Sequence, residues 1–132
     1  MEAPDTFALS ARSRRGVAAD RLGRSAEAAA RIALERDGWI ILAGRIRTPA
    51  GEIDLVAEKD GLLAIIEVKA RSNLVDAALS LSVRQQARLV AAADILLANN
   101  PEWGARGVRF DLLLVDASGA VRRIADAFRG NG

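Results

Sequence analysis

Two runs of β-forming residues, Glu52–Glu58 and Leu62–Ala70, meet at Asp60-Gly61, and this junction constrains the chain more than any other feature. A two-residue hairpin turn needs positive φ at both central positions, which Asp-Gly tolerates better than almost any other pair. With Asp60 and Gly61 at those positions, the register follows: Asp54 lies opposite Glu67, and Glu52 opposite Lys69. Strand side chains alternate, so these four share a face. Ile53, Leu55, Ile66 and Val68 take the other, a continuous core face. The polar face has acids at both middle positions. Carboxylates directly across a ladder sit about 5 Å apart at Cβ. At an effective dielectric of about 20 they repel by about 3 kcal/mol. With Val56 and Ile65 flanking the pair, a compensating positive charge is expected, either Lys69 or a divalent cation.

The choice of lysine is informative. The chain has seventeen arginines and two lysines, Lys59 and Lys69, so a simple surface cation is normally written as Arg. An ammonium is a compact charge whose pKa burial can tune, which suits holding or activating a water. The alternative is a half-buried Glu52–Lys69 ion pair with Asp54 satisfied by hydrogen bonds. Composition narrows the chemistry further. There is no cysteine, histidine or tyrosine among the 132 residues. Disulfides, thiolate or imidazole zinc sites and a Ser–His–Asp triad are excluded. A metal here must be held by oxygen, which favours Mg2+ or Mn2+.

Elsewhere the chain reads as one domain with an arm. Residues 1–16 form an expected flexible basic arm, and 17–132 the domain. Arg12, Arg14, Arg15, Arg21 and Arg24 face only Asp20, a segment that can track phosphates or serve as an ordinary solvated arm. The net charge is only +2, and five aromatic residues leave no stacking platform for single strands. A helix is expected over Val17–Asp37, closed by Gly38, and a strand over Trp39–Ile46. Thr48–Gly51 is a turn. Ser82–Gln85 has the pattern of a capping box opening a helix to about Asn99. Strands are expected over Val108–Val115 and Ala120–Ala125. The strand from Val108, joined through a helix to the strand from Leu62, should lie parallel to it. The fold class is therefore α/β, a mixed sheet flanked by helices. No stretch is long and apolar enough for a bilayer, and Met1–Arg15 lacks the apolar region of a secretory signal, so a cytoplasmic protein is expected. Trp39 and Trp103 read as packing residues, and Asp111 as a structural hydrogen bonder.

Gly23–Glu27, Gly51–Val56 and Glu67–Arg71 closely resemble the bacterial YraN-like proteins. So do Gln86–Leu89, Arg109–Asp111 and Asp126–Phe128, in order and at similar spacing from about Gly23 to Phe128. That family in turn resembles the PD-(D/E)XK nuclease superfamily, near the archaeal Holliday junction resolvases. The resemblance implies a restriction-endonuclease-like α-β-β-β-α-β core and a metal-dependent endonuclease acting on DNA, with branched or junction DNA as a candidate substrate. By position it implies catalytic roles for Asp54, Glu67, Lys69, Glu27 and Gln86. Mg2+ or Mn2+ would be held by Asp54, Glu67, the Val68 carbonyl and Glu27. Contacts to DNA are expected from Arg12, Arg14, Arg15 and Arg24 on the separate ground of their charge. Ile53 replaces the motif's proline, and Gln85 stands where many relatives have lysine. Glu27 has an alternative partner in Arg31 at i+4. A non-catalytic nucleic-acid-binding or assembly module that retains the fold is the alternative function. Homodimerisation is left open.

Overall fold

The computed structural model describes residues 11–70 and 81–128, with side chains from Arg24 onward. Helix α1 (Ala11–Arg36) is followed by strands β1 (Ile40–Thr48), β2 (Gly51–Lys59) and β3 (Leu62–Ala70). Helix α2 (Val83–Asn99) then leads to β4 (Val108–Val115) and β5 (Val121–Phe128). The strands form one five-stranded sheet in chain order, antiparallel except for the parallel β3–β4 pair. The expected α/β class and mixed sheet are therefore observed. No helix among the described residues is long and apolar enough to cross a membrane.

Local chemistry explains the element ends. At the end of α1, Gly38 adopts φ +88°, and the amides of Gly38 and Trp39 donate to the carbonyls of Glu35 and Leu34. These two bonds close the helix in a Schellman motif. Asp60 and Gly61 both have positive φ, 53° and 82°, as a type I′ turn requires. The ladder from Lys59↔Leu62 to Leu55↔Ile66 keeps the register that this turn dictates. Ser82 caps α2 by accepting the Gln85 amide at 3.1 Å. The Gln85 side chain does not reach back to complete a capping box; it goes to Glu67 instead.

Each face of the sheet has its own core. Helix α2 covers Ile53, Val56, Leu63, Ile65 and Phe110 with Leu89, Ala92, Ala93 and Leu96. Helix α1 covers Leu55, Ala57, Ala64, Ile66 and Leu113 with Ala30 and Leu34, and Val68 packs there too. The expected single face of Ile53, Leu55, Ile66 and Val68 is thus broken at Ile53, which packs on the α2 side. The cause lies in β1. Arg45, between partners Gly44↔Leu55 and Ile46↔Ile53, takes φ +50°, which interrupts the alternation opposite Asp54.

Helix α1 begins at Ala11, six residues before the expected start at Val17. Arg12, Arg14 and Arg15 therefore lie on the helix and not on an arm, because this Ala- and Arg-rich stretch has no helix breaker before Gly16. Their side chains, and residues 1–10 of the arm, lie outside the described residues. Arg24 is exposed on the same helix.

At the far side of the sheet, Asp111 is the one charged residue buried among the described residues. Its carboxylate accepts both Arg109 guanidinium donors, at 2.8 and 2.9 Å, and the Asp126 amide at 2.8 Å. Asp126 has φ +55°, and the β4–β5 register shifts beside it between Phe110 and Leu112. Trp39 is buried beneath the guanidinium groups of Arg109 and Arg123, 5.4 and 5.5 Å from its ring centre. The structural roles expected for Asp111 and Trp39 hold. Trp103 packs against the α2-side core, as expected.

Candidate functional site

Beyond Leu55↔Ile66 the β2–β3 ladder ends. From there β2 continues on β1, with Ile53, Glu52 and Gly51 paired, while β3 continues on β4 from Glu67↔Leu112 to Ala70↔Val115. The two strands part where the acids begin. A side chain spans the seam: the Asp54 carboxylate accepts the Val68 amide at 2.8 Å. Asp54 and Glu67 line the same cleft, close enough for each carboxyl group to act on the protonation of the other. On β3, Lys69 places its ammonium 3.4 Å from Glu67 Oε2, and both side chains are largely buried. The same oxygen accepts Gln85 Nε2 from α2 at 2.8 Å. The convergence of Asp54, Glu67 and Lys69 expected from the hairpin is what the structure brings together.

The surrounding cleft has a volume of about 210 Å³ and is open to solvent. Its walls are Gly51, Glu52 and Asp54 of β2, Glu67 of β3, and Gln85, Arg88 and Leu89 of α2. The turn leading into β2 is pinned by Thr48, whose hydroxyl donates to the Gly51 carbonyl at 2.7 Å and accepts the Ala50 and Gly51 amides.

Three expectations are corrected. Glu52 does not face Lys69; the β2–β3 ladder stops short of them, and Glu52 pairs with its β1 neighbour Arg47 at 3.5 Å. Gln86 turns away from the cleft and donates to the Leu81 carbonyl at 3.1 Å. The site residue of α2 is Gln85, one position earlier and so about 100° away around the helix. Glu27 meets neither Arg31 nor the acid pair. Its carboxylate accepts Arg45 Nε at 2.7 Å, while its charge acts on Asp54 from nearby. Arg31 instead packs its guanidinium over Gly44, where a side chain would collide with it. Among the described residues, no cluster of three acids is placed to hold one ion. Val68 is seen here through its amide, which fixes Asp54.

The electrostatics follow from this packing. Burial raises the Glu67 carboxyl from 4.5 to about 7, with the Asp54 charge adding and Lys69 opposing. Burial also raises Asp54, offset by the hydrogen bonds from Val68 and Glu67, with Glu27 and Glu52 pushing it further up. One ammonium thus supports two desolvated carboxyl groups, and near neutrality the pair does not hold its full charge unaided. Two carboxyl groups are oxygen donors of the kind hard divalent cations take, in exchange for the proton.

The sign of the resulting pH dependence is fixed. Between pH 4.5 and about 7 the folded chain keeps a Glu67 proton that the unfolded chain has lost. More protons bound in the folded state means that stability falls as pH rises through this window. The expected loss is on the order of 3 kcal/mol, complete above the folded pKa. In chelator, Glu67→Gln should match the wild type near pH 4 and be the more stable protein at pH 8. Urea unfolding across this range checks it; a wild type as stable at pH 8 as at pH 5, once Glu67→Gln has set the background slope, would contradict the assignment.

A mixed sheet with a helix on each face, in the order α-β-β-β-α-β with one further strand, is the arrangement of the restriction-endonuclease-like core. The chain belongs to the family described as Uncharacterised protein family UPF0102, whose model matches residues 26–115. This is the YraN-like resemblance read from the motifs. A UPF0102 protein of Granulibacter bethesdensis is 59% identical over 115 residues, covering 87% of this chain and 73% of that protein. One from Rhodopseudomonas palustris is 50% identical, covering 85% and 86% of the two chains. One from Azorhizobium caulinodans is 44% identical, covering 98% and 95%.

Proposed function

We propose that this protein is a cytoplasmic, divalent-metal-dependent endonuclease that hydrolyses phosphodiester bonds in DNA, with branched or junction DNA as the preferred substrate. The observation that carries the reading is the contact of two desolvated carboxyl groups, Asp54 and Glu67, beside a single buried ammonium in an open cleft. A structural ion pair needs one acid and one base; the second acid is a cost to the sheet unless a ligand repays it.

Asp54 and Glu67, with the Val68 carbonyl, would hold Mg2+ or Mn2+. When bound, such an ion supplies Lewis-acid polarisation of a phosphate and lowers the pKa of an attacking water. The chain's own residues do the rest. The Val68 amide orients Asp54, and Gln85 and Lys69 both engage Oε2 of Glu67, which fixes how that carboxyl group is presented to the cleft. Lys69 is placed to orient the water and to stabilise the negative charge that develops on the phosphate as the new P–O bond forms. As the bond from phosphorus to the leaving oxygen breaks, that oxygen takes a proton from solvent, and the attacking water gives one up to solvent.

A second reading, a nucleic-acid-binding module without catalysis, is favoured by one observation. Glu27, the third acid that the resemblance implies, is engaged by Arg45. A cleavage assay over linear and branched DNAs and RNA separates the two. Cutting that needs Mg2+ or Mn2+ and stops in EDTA is expected; intact substrates throughout would hand the site to the binding-module reading.

A further inference from the structure

The cleft wall facing the two acids carries a cation that the chemistry above leaves unused. Of the three α2 residues there, Leu89 is buried in the core and anchors the helix, and Gln85 gives its amide to Glu67. Arg88 lies one turn on from Gln85 and is exposed. Its guanidinium makes no hydrogen bond, ion pair or ring contact among the described residues. The neighbouring acids are taken elsewhere: Glu52 by Arg47, and Glu67 by Lys69 and Gln85. Arg84 sits at i−4 on the same helical face and is also exposed, and the first turn of α2 holds no acid to offset it. Two arginines stacked one turn apart repel each other along the helix. That arrangement gains nothing within the chain itself, but it suits a strand of regularly spaced negative charges.

Charge sets the requirement. A DNA strand brought to Asp54 and Glu67 passes three carboxylates, and Lys69 is already paired with one of them. A counter-charge is needed on the remaining wall, and a guanidinium fork matches two oxygens of one phosphate at once. We infer that Arg88 grips a phosphate adjacent to the one being cut, and that Arg84 continues this contact along the same strand. The inference rests on the endonuclease reading and makes Arg88 a substrate-binding and positioning residue, not a catalytic one.

Anisotropy of a fluorescein-labelled DNA duplex, with Ca2+ replacing Mg2+, tests it over a salt series. Wild type, Arg88→Ala, Arg88→Lys and Arg106→Ala are compared. Arg106 serves as the control because it packs over Gly61 at the hairpin turn, outside the cleft. Arg88→Ala should weaken binding about tenfold. It should also flatten the log–log salt slope by about 0.9, the signature of one lost phosphate contact. Arg88→Lys should keep the slope while losing part of the affinity, and Arg106→Ala should change neither. Thermal midpoints equal to wild type establish that the exposed substitutions leave the fold intact. An unchanged slope in Arg88→Ala, or an equal loss in Arg106→Ala, overturns the assignment while wild-type binding keeps the endonuclease reading. A wild type that binds no DNA overturns both.

Discussion

Lys69→Ala should lower DNA cleavage by about two to three orders of magnitude, the usual cost of losing one group aimed at developing charge. DNA binding should stay within a few-fold of wild type. The ammonium sits 3.4 Å from Glu67 and is largely buried, so it serves the site and not the surface. Its removal also lets the Glu67 carboxyl rise further, since Lys69 is the group that opposes burial there. Part of the lost metal affinity should therefore return at alkaline pH, whereas the lost cleavage should not. That split separates a missing catalytic group from a merely protonated ligand. Lys69→Arg sharpens the test, because its planar fork preserves charge without fitting the space of an ammonium. An enzyme should be crippled by Lys69→Arg, while a binding module should hardly respond. Glu67→Ala, in contrast, should lose tight Mg2+ binding together with cleavage. Single-turnover cleavage and calorimetric Mg2+ titration read these outcomes; near-normal cleavage by Lys69→Arg would remove Lys69 from the mechanism.

The largest effect on stability is expected at Asp111, which pairs with Ile66 on the neighbouring strand and does not line the cleft. Its carboxylate is fully buried and satisfies three donors, two from Arg109 and one from the Asp126 backbone. Asp111→Ala would leave the Arg109 charge without its partner and the Asp126 amide without an acceptor. Breaking such a buried pair costs about 3–5 kcal/mol. Arg109 keeps some contact with solvent, which places the expected value toward the lower end. Asp111→Asn retains one acceptor oxygen and should lose less. Urea unfolding measures both; a loss below about 1 kcal/mol for Asp111→Ala would mean that water replaces the carboxylate at little cost.

The sequence was most legible where local chemistry decides the outcome. Asp60-Gly61 specifies one turn type, that turn specifies the register as far as Leu55↔Ile66, and Asp54 and Glu67 follow directly at the end of that ladder. Gly38 and Ser82 mark helix ends for equally local reasons. What was not legible depends on elements distant in sequence. Nothing near Glu27 reveals that its partner is Arg45, because the contact joins α1 to a kinked position of β1. The choice between Gln85 and Gln86 depends on how α2 is rotated over the sheet, which Leu89, Ala92, Ala93 and Leu96 determine by their burial. Strand alternation predicts that the hairpin continues to Glu52 and Lys69. It does not, since each strand finds a better neighbour on its outer side once the seam opens. The capping pattern singles out Gln85, but it directs the amide to the helix end and not to Glu67, the acid across from it.

The parallel β3–β4 ladder also sets the order in which this site comes into being. After Ile66, the β2–β3 ladder has ended, and the strand pairing of Glu67 to Ala70 among the described residues is with Leu112 to Val115. Those partners emerge from the ribosome after all of α2 and the loop that follows it. A growing chain can form the β1–β2–β3 hairpins early, since these contacts are local, whereas the parallel pairing has to wait for a long loop to close. Gln85 and Arg88 are in place only once α2 has docked. The acids and the lysine are therefore held in place only once β4 has been made, and a chain stopped before it carries these residues without their geometry.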